Sequence, residues 1–318
     1  MRYLRTKLFI CLILVPQLLW AEGTNRVFVT NEHSDDITVI NGDTLEVETT
    51  FKIGQRPRGI GLAPDGSELY VAVSEENVIK VVDPQSLEIL REFNAGSDPE
   101  TFAVHPNGNI YISNEDDAKA SVYDPKSGQK IAEIKVGLEP EGVAISPDGK
   151  YVIVTSESTN MLHVIQVPEH TIIENIVVGA RPRAATFSND GKLVYSTSEI
   201  SGEVKKVDME TFKIIGKKKI ADDSAKPKDV LLSKDEKRLY VAGGRANAVL
   251  MLNAENMVLL KEIPVGKRVW GLAMNGDGSR IFTTDGVSGT VSVIDTTEND
   301  VIKTIQVGKF PWGVVVDD

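Results

Sequence analysis

One phrase recurs seven times along this 318-residue chain, and it constrains the fold more than any other feature. Each copy has an anchor residue, a short apolar run, a tight turn and a β-rich segment, as in residues 57–74 and 140–156. Successive anchors lie 41 to 45 residues apart, which is the length of one four-stranded propeller blade. The anchors are Pro57, Pro99, Pro140, Pro182, Pro227, Val269 and Pro311.

Within each copy the apolar residues alternate with a period of two, a pattern typical of short half-buried strands. A tight reversal follows the first strand, where proline presets one φ angle and glycine accepts a positive φ. Because Lys234-Asp235-Glu236 lacks the glycine, we expect this turn to be the least well formed. The other turns are Pro64-Asp65-Gly66, Pro106-Asn107-Gly108, Pro147-Asp148-Gly149, Asn189-Asp190-Gly191 and Asp277-Gly278.

The two ends of the repeat region complement each other. Residues 26–34 align with the second strand of later copies, and residues 311–318 form an innermost strand that nothing follows. Pairing them would remove free sheet edges. The sequence therefore predicts an all-β fold over residues 22–318: a seven-bladed β-propeller of four-stranded antiparallel blades, closed by the C-terminal strand. The fourth strands are expected near 46–54, 87–96, 129–137, 172–179, 212–222, 257–266 and 301–308.

Residues 1–21 do not resemble the repeats. Three basic residues precede an apolar run over 8–20, and Ala21 leads into polar sequence. This pattern is typical of a secretory signal peptide and too short for a spanning helix, with a retained membrane anchor as the alternative. Cleavage would remove the single cysteine, Cys11, and change the net charge from −11 to −14. We expect an exported protein with no membrane contact after cleavage and, because it is acidic, no nucleic-acid partner.

The residues beside each anchor differ between copies, whereas residues that serve packing repeat. In a propeller this segment starts the innermost strand at one mouth of the central channel, and strand alternation puts both neighbours of the anchor on one face. Each blade is therefore expected to present a matched pair to the mouth. The pairs are Arg56 and Arg58, Asp98 and Glu100, Glu139 and Glu141, Arg181 and Arg183, Lys226 and Lys228, Arg268 and Trp270, and Phe310 and Trp312.

Two interpretations of this mouth remain open. In the first, neighbouring blades pair their charges: Arg58 with Glu100, Glu141 with Arg183, and the remaining bases with acidic loop residues on the same face. In the second, the mouth binds a small anionic ligand or a partner protein, because arginine forks fit carboxylates and the tryptophans could stack a planar ring. The candidate ligand-binding residues are Arg56, Arg58, Glu100, Glu139, Glu141, Arg181, Arg183, Lys228, Arg268, Trp270 and Trp312. The acidic loop residues are Glu32, Glu75, Glu76, Glu115, Asp116, Glu157 and Glu199.

Catalytic motifs are missing from the sequence. It contains no haem-attachment motif, no phosphate-binding loop and no dinucleotide fingerprint. Of the four histidines, His105, His163 and His170 fit structural roles, and only His33 falls in a mouth loop. His33 beside Glu32 supplies too few ligands for a metal ion, so no metal site is predicted. No catalytic residue is predicted either, because no triad or nucleophile motif is visible. The sequence favours a binding protein over an enzyme, although hydrolysis of a lactone by mouth carboxylates stays open.

The repeats also resemble a known family. The segments LYVAVS (69–74), VFVTNE (27–32) and LYVAGG (239–244) are similar to YVTN-family β-propeller repeats. The resemblance is closer to the PQQ-dependent catabolism-associated β-propeller proteins and spans the chain after residue 21. The matching stretches are 139–150, 155–165, 181–192, 266–278, 283–295 and 307–316. Asp229 departs from the small residue usual there, which puts the contribution of its blade to the mouth in doubt.

This resemblance implies a monomeric periplasmic protein that accompanies alcohol oxidation dependent on pyrroloquinoline quinone. Its expected partners are a quinoprotein dehydrogenase, a cytochrome c or a transporter. No cofactor is predicted, but the quinone carries three carboxylates and would suit a mouth of arginines and tryptophans as a ligand. A scaffold for redox partners, similar to the heavy subunit of methylamine dehydrogenase, and a lactonase-like hydrolase are the alternatives.

Overall fold

The computed structural model describes residues 23–220 and 225–318, and their strands form seven four-stranded antiparallel sheets arranged in a ring. The predicted signal peptide, residues 1–21, lies outside the described residues. The one described helix is a single 3-10 turn, Ser74–Glu76, and no helix of the described residues is long and apolar enough to cross a membrane.

The strands alternate regularly with turns along the chain. They are β1 (Arg26–Asn31), β2 (Asp36–Asn41), β3 (Val47–Lys52), β4 (Pro57–Leu62), β5 (Leu69–Val73), β6 (Val78–Val82), β7 (Ile89–Asn94), β8 (Pro99–Val104), β9 (Ile110–Asn114), β10 (Lys119–Asp124), β11 (Gln129–Lys135), β12 (Pro140–Ile145), β13 (Tyr151–Ser156), β14 (Met161–Gln166), β15 (Thr171–Val177), β16 (Pro182–Phe187), β17 (Leu193–Ser198), β18 (Glu203–Asp208), β19 (Lys213–Lys219), β20 (Val230–Leu232), β21 (Arg238–Ala242), β22 (Ala248–Asn253), β23 (Leu259–Pro264), β24 (Val269–Met274), β25 (Arg280–Asp285), β26 (Thr290–Asp295), β27 (Asp300–Gln306) and β28 (Pro311–Asp317).

The ring closes as predicted, because the last strand completes the first blade. Blade 1 has the order β28-β1-β2-β3, and blades 2 to 7 each use the next four strands, from β4–β7 to β24–β27. The register of β28 on β1 runs from Arg26 opposite Asp317 to Asn31 opposite Pro311. The hydroxyl of Thr24 extends this closure by donating to the Asp317 carboxylate at 2.6 Å. Each described blade therefore has the four strands that the repeat predicts.

The apolar core lies between blades rather than inside them. Val71 packs with Phe28 of blade 1, whereas its neighbour Tyr70 packs with Ile110 of blade 3. The second strands are consequently buried on both faces, which corrects the expectation of half-buried strands throughout. Every residue of β5 is buried, because a blade lies on either side of it. Seven such clusters, one per interface among the described residues, hold the ring together.

The turn without glycine is formed as well as the others, which corrects the prediction that it would be the weakest. Glu236 adopts a positive φ of 56° and its backbone N–H donates to the Ser233 carbonyl at 2.8 Å. Its carboxylate also accepts a hydrogen bond from the backbone of Asn189 in the neighbouring blade. That contact offsets the cost of a left-handed conformation at a residue with a side chain.

Candidate functional site

The residue that follows each anchor points into one mouth of the central channel. We call these seven residues, one per blade, the inner ring. Several are charged yet nearly inaccessible: Glu100 is 0 % exposed, Glu141 and Lys228 5 %, and Arg183 7 %. Charged side chains buried this deeply require charged or hydrogen-bonding partners, so specific contacts must hold the inner ring in place. In blade order it comprises Trp312, Arg58, Glu100, Glu141, Arg183, Lys228 and Trp270.

A recurring irregularity of the innermost strands aims the inner ring at the channel. In blade 4 the pairing of β12 with β13 shifts between Pro140 and Val143, so the ladder bond of Gly142 is missing. The hydroxyl of Thr155 replaces that bond, accepting from Gly142 N at 2.8 Å. It also donates to the carbonyl oxygen of Arg183 in the next blade at 3.0 Å. One side chain therefore fixes the backbone of an inner-ring residue across the blade interface.

Hydroxyls at this position recur in five blades of the described ring. Each donates to the carbonyl of the inner-ring residue in the next blade: Thr30 to Arg58, Ser113 to Glu141, Thr155 to Arg183, Thr197 to Lys228, and Thr284 to Trp312. Blades 2 and 6 carry Ala72 and Ala242 there instead. In blade 6 the carboxylate of Asp229 makes the interblade contact, accepting from Leu272 N at 2.9 Å.

The residue that precedes each anchor lies outside the strand, which corrects the prediction of matched pairs on one face. Arg56, Asp98, Arg181, Arg268 and Phe310 all have positive φ, between 43° and 60°. The left-handed backbone breaks strand alternation, so these residues do not share a strand face with the inner ring. The long side chains of Arg56, Arg181 and Arg268 nevertheless reach the buried carboxylates or Trp270. Glu139, a predicted site residue, shares this conformation at φ 53°, is exposed and accepts from the Ser158 hydroxyl. It does not join the buried charges.

Charge pairing is the first interpretation of the mouth, and the structure confirms it. Arg183 binds Glu141 at 2.6 Å and also contacts Glu157, and all three side chains are at most 8 % exposed. Lys228 Nζ forms an ion pair with a Glu199 carboxylate oxygen at 2.7 Å, and the same oxygen lies 3.3 Å from Arg181 Nε. We call this set the Arg183 cluster: Glu141, Glu157, Arg181, Arg183, Glu199 and Lys228.

A second network, the Arg58 cluster, lies across the mouth in blades 1 to 3. Arg58 contacts Glu100 and lies 2.9 Å from the Glu32 carboxylate. Arg56 donates to Asp98 at 3.0 Å and reaches Glu100 at 3.4 Å. Its members are Glu32, Arg56, Arg58, Asp98 and Glu100. The arginines of both clusters already have carboxylates, so a ligand anion would have to displace protein groups to use them.

The acidic junction between blades 3 and 4 carries an excess of negative charge. Carboxylate oxygens of Asp98, Glu100 and Glu115 lie within 4.8 Å of one another. Burial, and then the neighbouring Glu141 and Asp98, raise the pKa of Glu115. Arg56 binds Asp98 and Arg58 binds Glu100, so two cations offset part of the negative charge of this group.

Trp270 and Trp312 complete the inner ring, and they are aromatic where the rest of the ring is charged. Trp270 and Trp312 stack with ring centroids 6.4 Å apart and planes 29° from parallel. Lys228 Nζ lies 4.1 Å from the centroid of Trp270, and the Arg268 guanidinium lies 4.9 Å from it. Two buried donors here, Trp312 Nε1 and Arg268 Nε, have no hydrogen-bond partner within the described part of the chain. Buried donors without acceptors are uncommon in native structures, and a ligand can supply the acceptor.

Glycine makes room for this pair. The backbone N–H that follows the second strand donates to the carbonyl of the residue preceding the anchor, for example Glu157 to Glu139 at 2.9 Å and Gly286 to Arg268 at 3.0 Å. Glutamate occupies this loop position in blades 1, 3, 4 and 5. In blade 7 a Cβ on Gly286 would come within 2.7 Å of the Trp270 indole. The same loop position therefore supplies charge on one side of the mouth and space on the other.

Lys228 lies where the two sides meet. Burial, and then repulsion from Arg183, lower the pKa of Lys228 to about 7, although Glu199 acts in the other direction. Burial alone would raise the pKa of Glu199, but Lys228 and Arg183 outweigh it and lower that pKa. Burial also raises the pKa of the adjacent Asp229 to about 6. Asp229 does not prevent blade 6 from contributing to the mouth, because Lys228 joins the inner ring while Asp229 binds the next blade.

A cavity of about 200 Å³ lies beneath these side chains in the channel. Its wall combines Lys228, Arg183 and Glu141 with both tryptophans, and the apolar part includes Phe102 and Leu272. A concave, mostly apolar site with a few convergent polar groups is the usual form of a small-molecule site.

The histidines do not add a catalytic group to the mouth. His105 binds the Gly149 carbonyl at 2.8 Å, His163 lies 3.0 Å from the Ser156 hydroxyl, and His170 lies 3.2 Å from the Tyr111 hydroxyl. These three have the structural roles that the sequence predicts. His33 stacks on Phe310 at 4.1 Å between ring centroids.

Comparison with known proteins agrees with this architecture. A model of the Choice-of-anchor I domain matches residues 76–300. The chain belongs to this family. Among curated proteins, no sequence matches it.

Solved structures share the fold at low sequence identity. Kuenenia stuttgartiensis hydrazine synthase is 21% identical, with 81% of this chain and 88% of that chain covered and a TM-score of 0.74. A functionally unknown protein from Desulfotomaculum acetoxidans is 15% identical over 92% and 99% of the two chains, with a TM-score of 0.81. A Bacteroides uniformis protein provisionally named a 6-phosphogluconolactonase is 19% identical over 92% and 99%, with a TM-score of 0.76. These proteins share an architecture with the chain, and their different functions do not transfer through it.

Sequence reasoning underestimated three loop residues. Glu32, Glu157 and Glu199 were expected as acidic loop residues that could pair with mouth bases, and the structure makes them central to the two clusters. Aligning the residue after each second strand would have revealed the glutamates in four blades. The same alignment shows Gly244 and Gly286 in blades 6 and 7, which identifies the open side of the mouth.

Proposed function

We propose that the protein is an exported, non-enzymatic binding protein whose channel mouth holds a small planar molecule with acceptor oxygens. The observation that carries this proposal is a pair of donors, Trp312 Nε1 and Arg268 Nε, for which residues 23–220 and 225–318 provide no acceptor. They lie beside two stacked indoles at a cavity. An oxygen of the ligand would accept from these donors, and its ring would lie against an indole face.

The ligand would use the tryptophan side of the mouth and not the arginine forks of the two clusters. Three cations surround Trp270, namely Arg183, Lys228 and Arg268, so a carboxylate or carbonyl oxygen is favoured there over a cation. The resemblance to the PQQ-associated proteins supports pyrroloquinoline quinone as one candidate ligand and a periplasmic role beside alcohol oxidation. A cavity of about 200 Å³ would take one edge of that tricyclic molecule and leave the rest outside.

Tryptophan fluorescence offers a direct test. The chain has three tryptophans, and Trp20 lies in the predicted signal peptide, so a Trp20→Phe background reports only on the mouth. We expect pyrroloquinoline quinone or benzoate to change the emission saturably. In the same background, Trp312→Phe keeps an aromatic ring but removes the N–H donor. It should weaken binding about tenfold, which corresponds to roughly 1.4 kcal/mol of binding free energy. The proposal fails if the emission responds to both compounds no more than free N-acetyltryptophanamide does.

A protein scaffold is the second candidate, and a specific feature favours it. Leu138, Ile200 and Val287 are 60 %, 59 % and 51 % exposed, and all three lie in loops around the mouth. Exposed apolar side chains that border a polar site are typical of a docking surface. Capture of a quinoprotein dehydrogenase or cytochrome c from periplasm by the wild type, but not by Ile200→Asp, would support this role.

A further inference from the structure

We propose that Lys228 is a carbonyl-reactive amine, whose Nζ condenses reversibly with a small planar aldehyde or ketone held against Trp270. This inference rests on the proposed ligand-binding role of the mouth and names the chemical class of the ligand. It concerns a residue that the sequence placed in the mouth only as one basic group among several.

The position of Lys228 provides the geometry. Its side chain is 5 % exposed, and it lines the channel cavity together with Trp270 and Trp312. The Nζ atom lies 2.7 Å from a Glu199 oxygen and 4.1 Å from the centroid of Trp270. Thr197 Oγ1 fixes the backbone by donating to the Lys228 carbonyl at 2.7 Å. A planar ligand stacked on the indole would present its carbonyl group within reach of this amine.

The surrounding charges allow Lys228 to lose its proton. Glu199 also faces Arg181 at 3.3 Å and Arg183 at 3.8 Å, so it keeps cationic partners when the lysine is neutral. Glu141, the other nearby carboxylate, is bound by Arg183 at 2.6 Å. Burial and the charge of Arg183 lower the pKa of Lys228 to about 7, so near neutral pH a large share of the amine is the nucleophilic free base.

The condensation balances without an oxidant or reductant. The nitrogen lone pair forms a bond to the carbonyl carbon, and the proton that the nitrogen loses goes to the carbonyl oxygen to give a carbinolamine. That oxygen then leaves as water, after accepting a second proton from solvent, and a protonated imine remains. The product keeps the positive charge of lysine, so Glu199 at 2.7 Å and the face of Trp270 stabilise it as they stabilise the ammonium group.

The cavity has room for about one ring of the ligand. A cavity of about 150 Å³ is sufficient to hold benzene, and the channel cavity measures about 200 Å³. The flat indole faces favour a conjugated carbonyl compound over a branched one. An aromatic aldehyde is therefore the simplest probe of this site.

Lys205 is a matched internal control. Its side chain is 8 % exposed and its Nζ lies 2.5 Å from a Glu203 oxygen, so it equals Lys228 in burial and in having a carboxylate partner. Lys205 belongs to β18 and does not line the channel cavity, whereas Lys192 is 78 % exposed and represents freely accessible lysines. These three residues separate the effect of burial from the effect of the site.

The experiment treats the full chain with benzaldehyde and sodium cyanoborohydride at pH 7 and follows benzylation of each lysine by peptide mass spectrometry. We expect Lys228 to be labelled at least about tenfold faster than Lys205 and Lys192, a factor that one pKa unit supplies. The ratio of Lys228 to Lys192 labelling should fall as pH rises above about 7, because the Lys228 amine is then already mostly free base. Unfolding in urea should abolish the preference.

The outcomes separate this inference from the proposed function. Labelling of Lys228 no faster than that of Lys205 overturns the inference, whatever the fluorescence shows. If benzaldehyde without reductant still quenches the mouth tryptophans in the Trp20→Phe background, the proposed function survives that failure. If Lys228 is not labelled and no probe quenches the mouth tryptophans, both the inference and the proposed function are overturned. Because the comparison is made within one wild-type chain, it does not depend on the folding of a variant.

Discussion

The two sides of the mouth use the same strand position for opposite purposes. On the charged side, Arg58 and Arg183 bind carboxylates from neighbouring blades, so a ligand anion would have to compete with these protein groups. On the tryptophan side, Trp312 and Arg268 keep buried donors that find no acceptor among the described residues. The difference indicates that the charged side fixes the shape of the ring, whereas the tryptophan side is available for binding. Four substitutions test this contrast, and they are ordered by expected effect.

Arg183→Met should cause the largest loss. It leaves Glu141 and Glu157 buried without their main cation, and breaking a buried pair costs about 3–5 kcal/mol of unfolding free energy. Arg181→Met is the matched control, because Arg181 contacts the same Glu157 but is 44 % exposed. Urea denaturation of both variants would measure the difference. Equal losses would contradict a structural role for the buried arginine.

Thr197→Val should have the next largest effect. It removes the hydroxyl that accepts from Ala184 N at 3.1 Å and donates to the Lys228 carbonyl at 2.7 Å. Leaving these buried groups unpaired costs about 1–3 kcal/mol. Thr197→Ser retains the hydroxyl and should recover most of the stability in thermal or urea unfolding. A loss of the same size in the serine variant would point to the methyl group and not to the interblade bond.

The pH dependence of stability should identify Lys228. Its pKa is about 7 in the folded protein and about 10.5 when unfolded, so between these values the unfolded chain binds more protons. The contribution of Lys228 to the free energy of unfolding therefore rises with pH from about 7 to 10. Lys228→Met should remove this rise, measured by urea unfolding at several pH values. An unchanged pH profile in the variant would show that the folded lysine titrates normally.

Lys261→Ala on the outer wall should have the smallest effect. Lys261 pairs with Asp300 of the next blade at 2.8 Å, but the two side chains are 37 % and 65 % exposed. An exposed ion pair contributes about 0–1 kcal/mol, so the midpoint of urea unfolding should barely move. A loss as large as that of Arg183→Met would mean that interblade charges stabilise the ring irrespective of burial.

Some of the site was predictable, because repeats put equivalent residues on neighbouring blades. Arg58 with Glu100 and Glu141 with Arg183 follow from their common offset from the anchor, and the structure confirms both contacts. The exposed position of Glu139, outside both clusters, was not predictable from its offset from the anchor. Glu139 shares its left-handed backbone with Arg56 and Arg181, which do reach the buried carboxylates. What differs is its side chain, which is exposed and accepts a hydrogen bond from the Ser158 hydroxyl.

The sequence alone determined the seven blades, their four strands and the closure by residues 311–318, because the repeat length and the period-two pattern are local properties of the chain. Only the tertiary structure decided which of the mouth charges are satisfied. Burial and distance set the strength of a charge interaction, and neither exists until the blades meet. Arg183 and Arg268 are both arginines beside an anchor, yet two glutamates bind Arg183, whereas Arg268 Nε has no acceptor in the part of the chain that the structure describes.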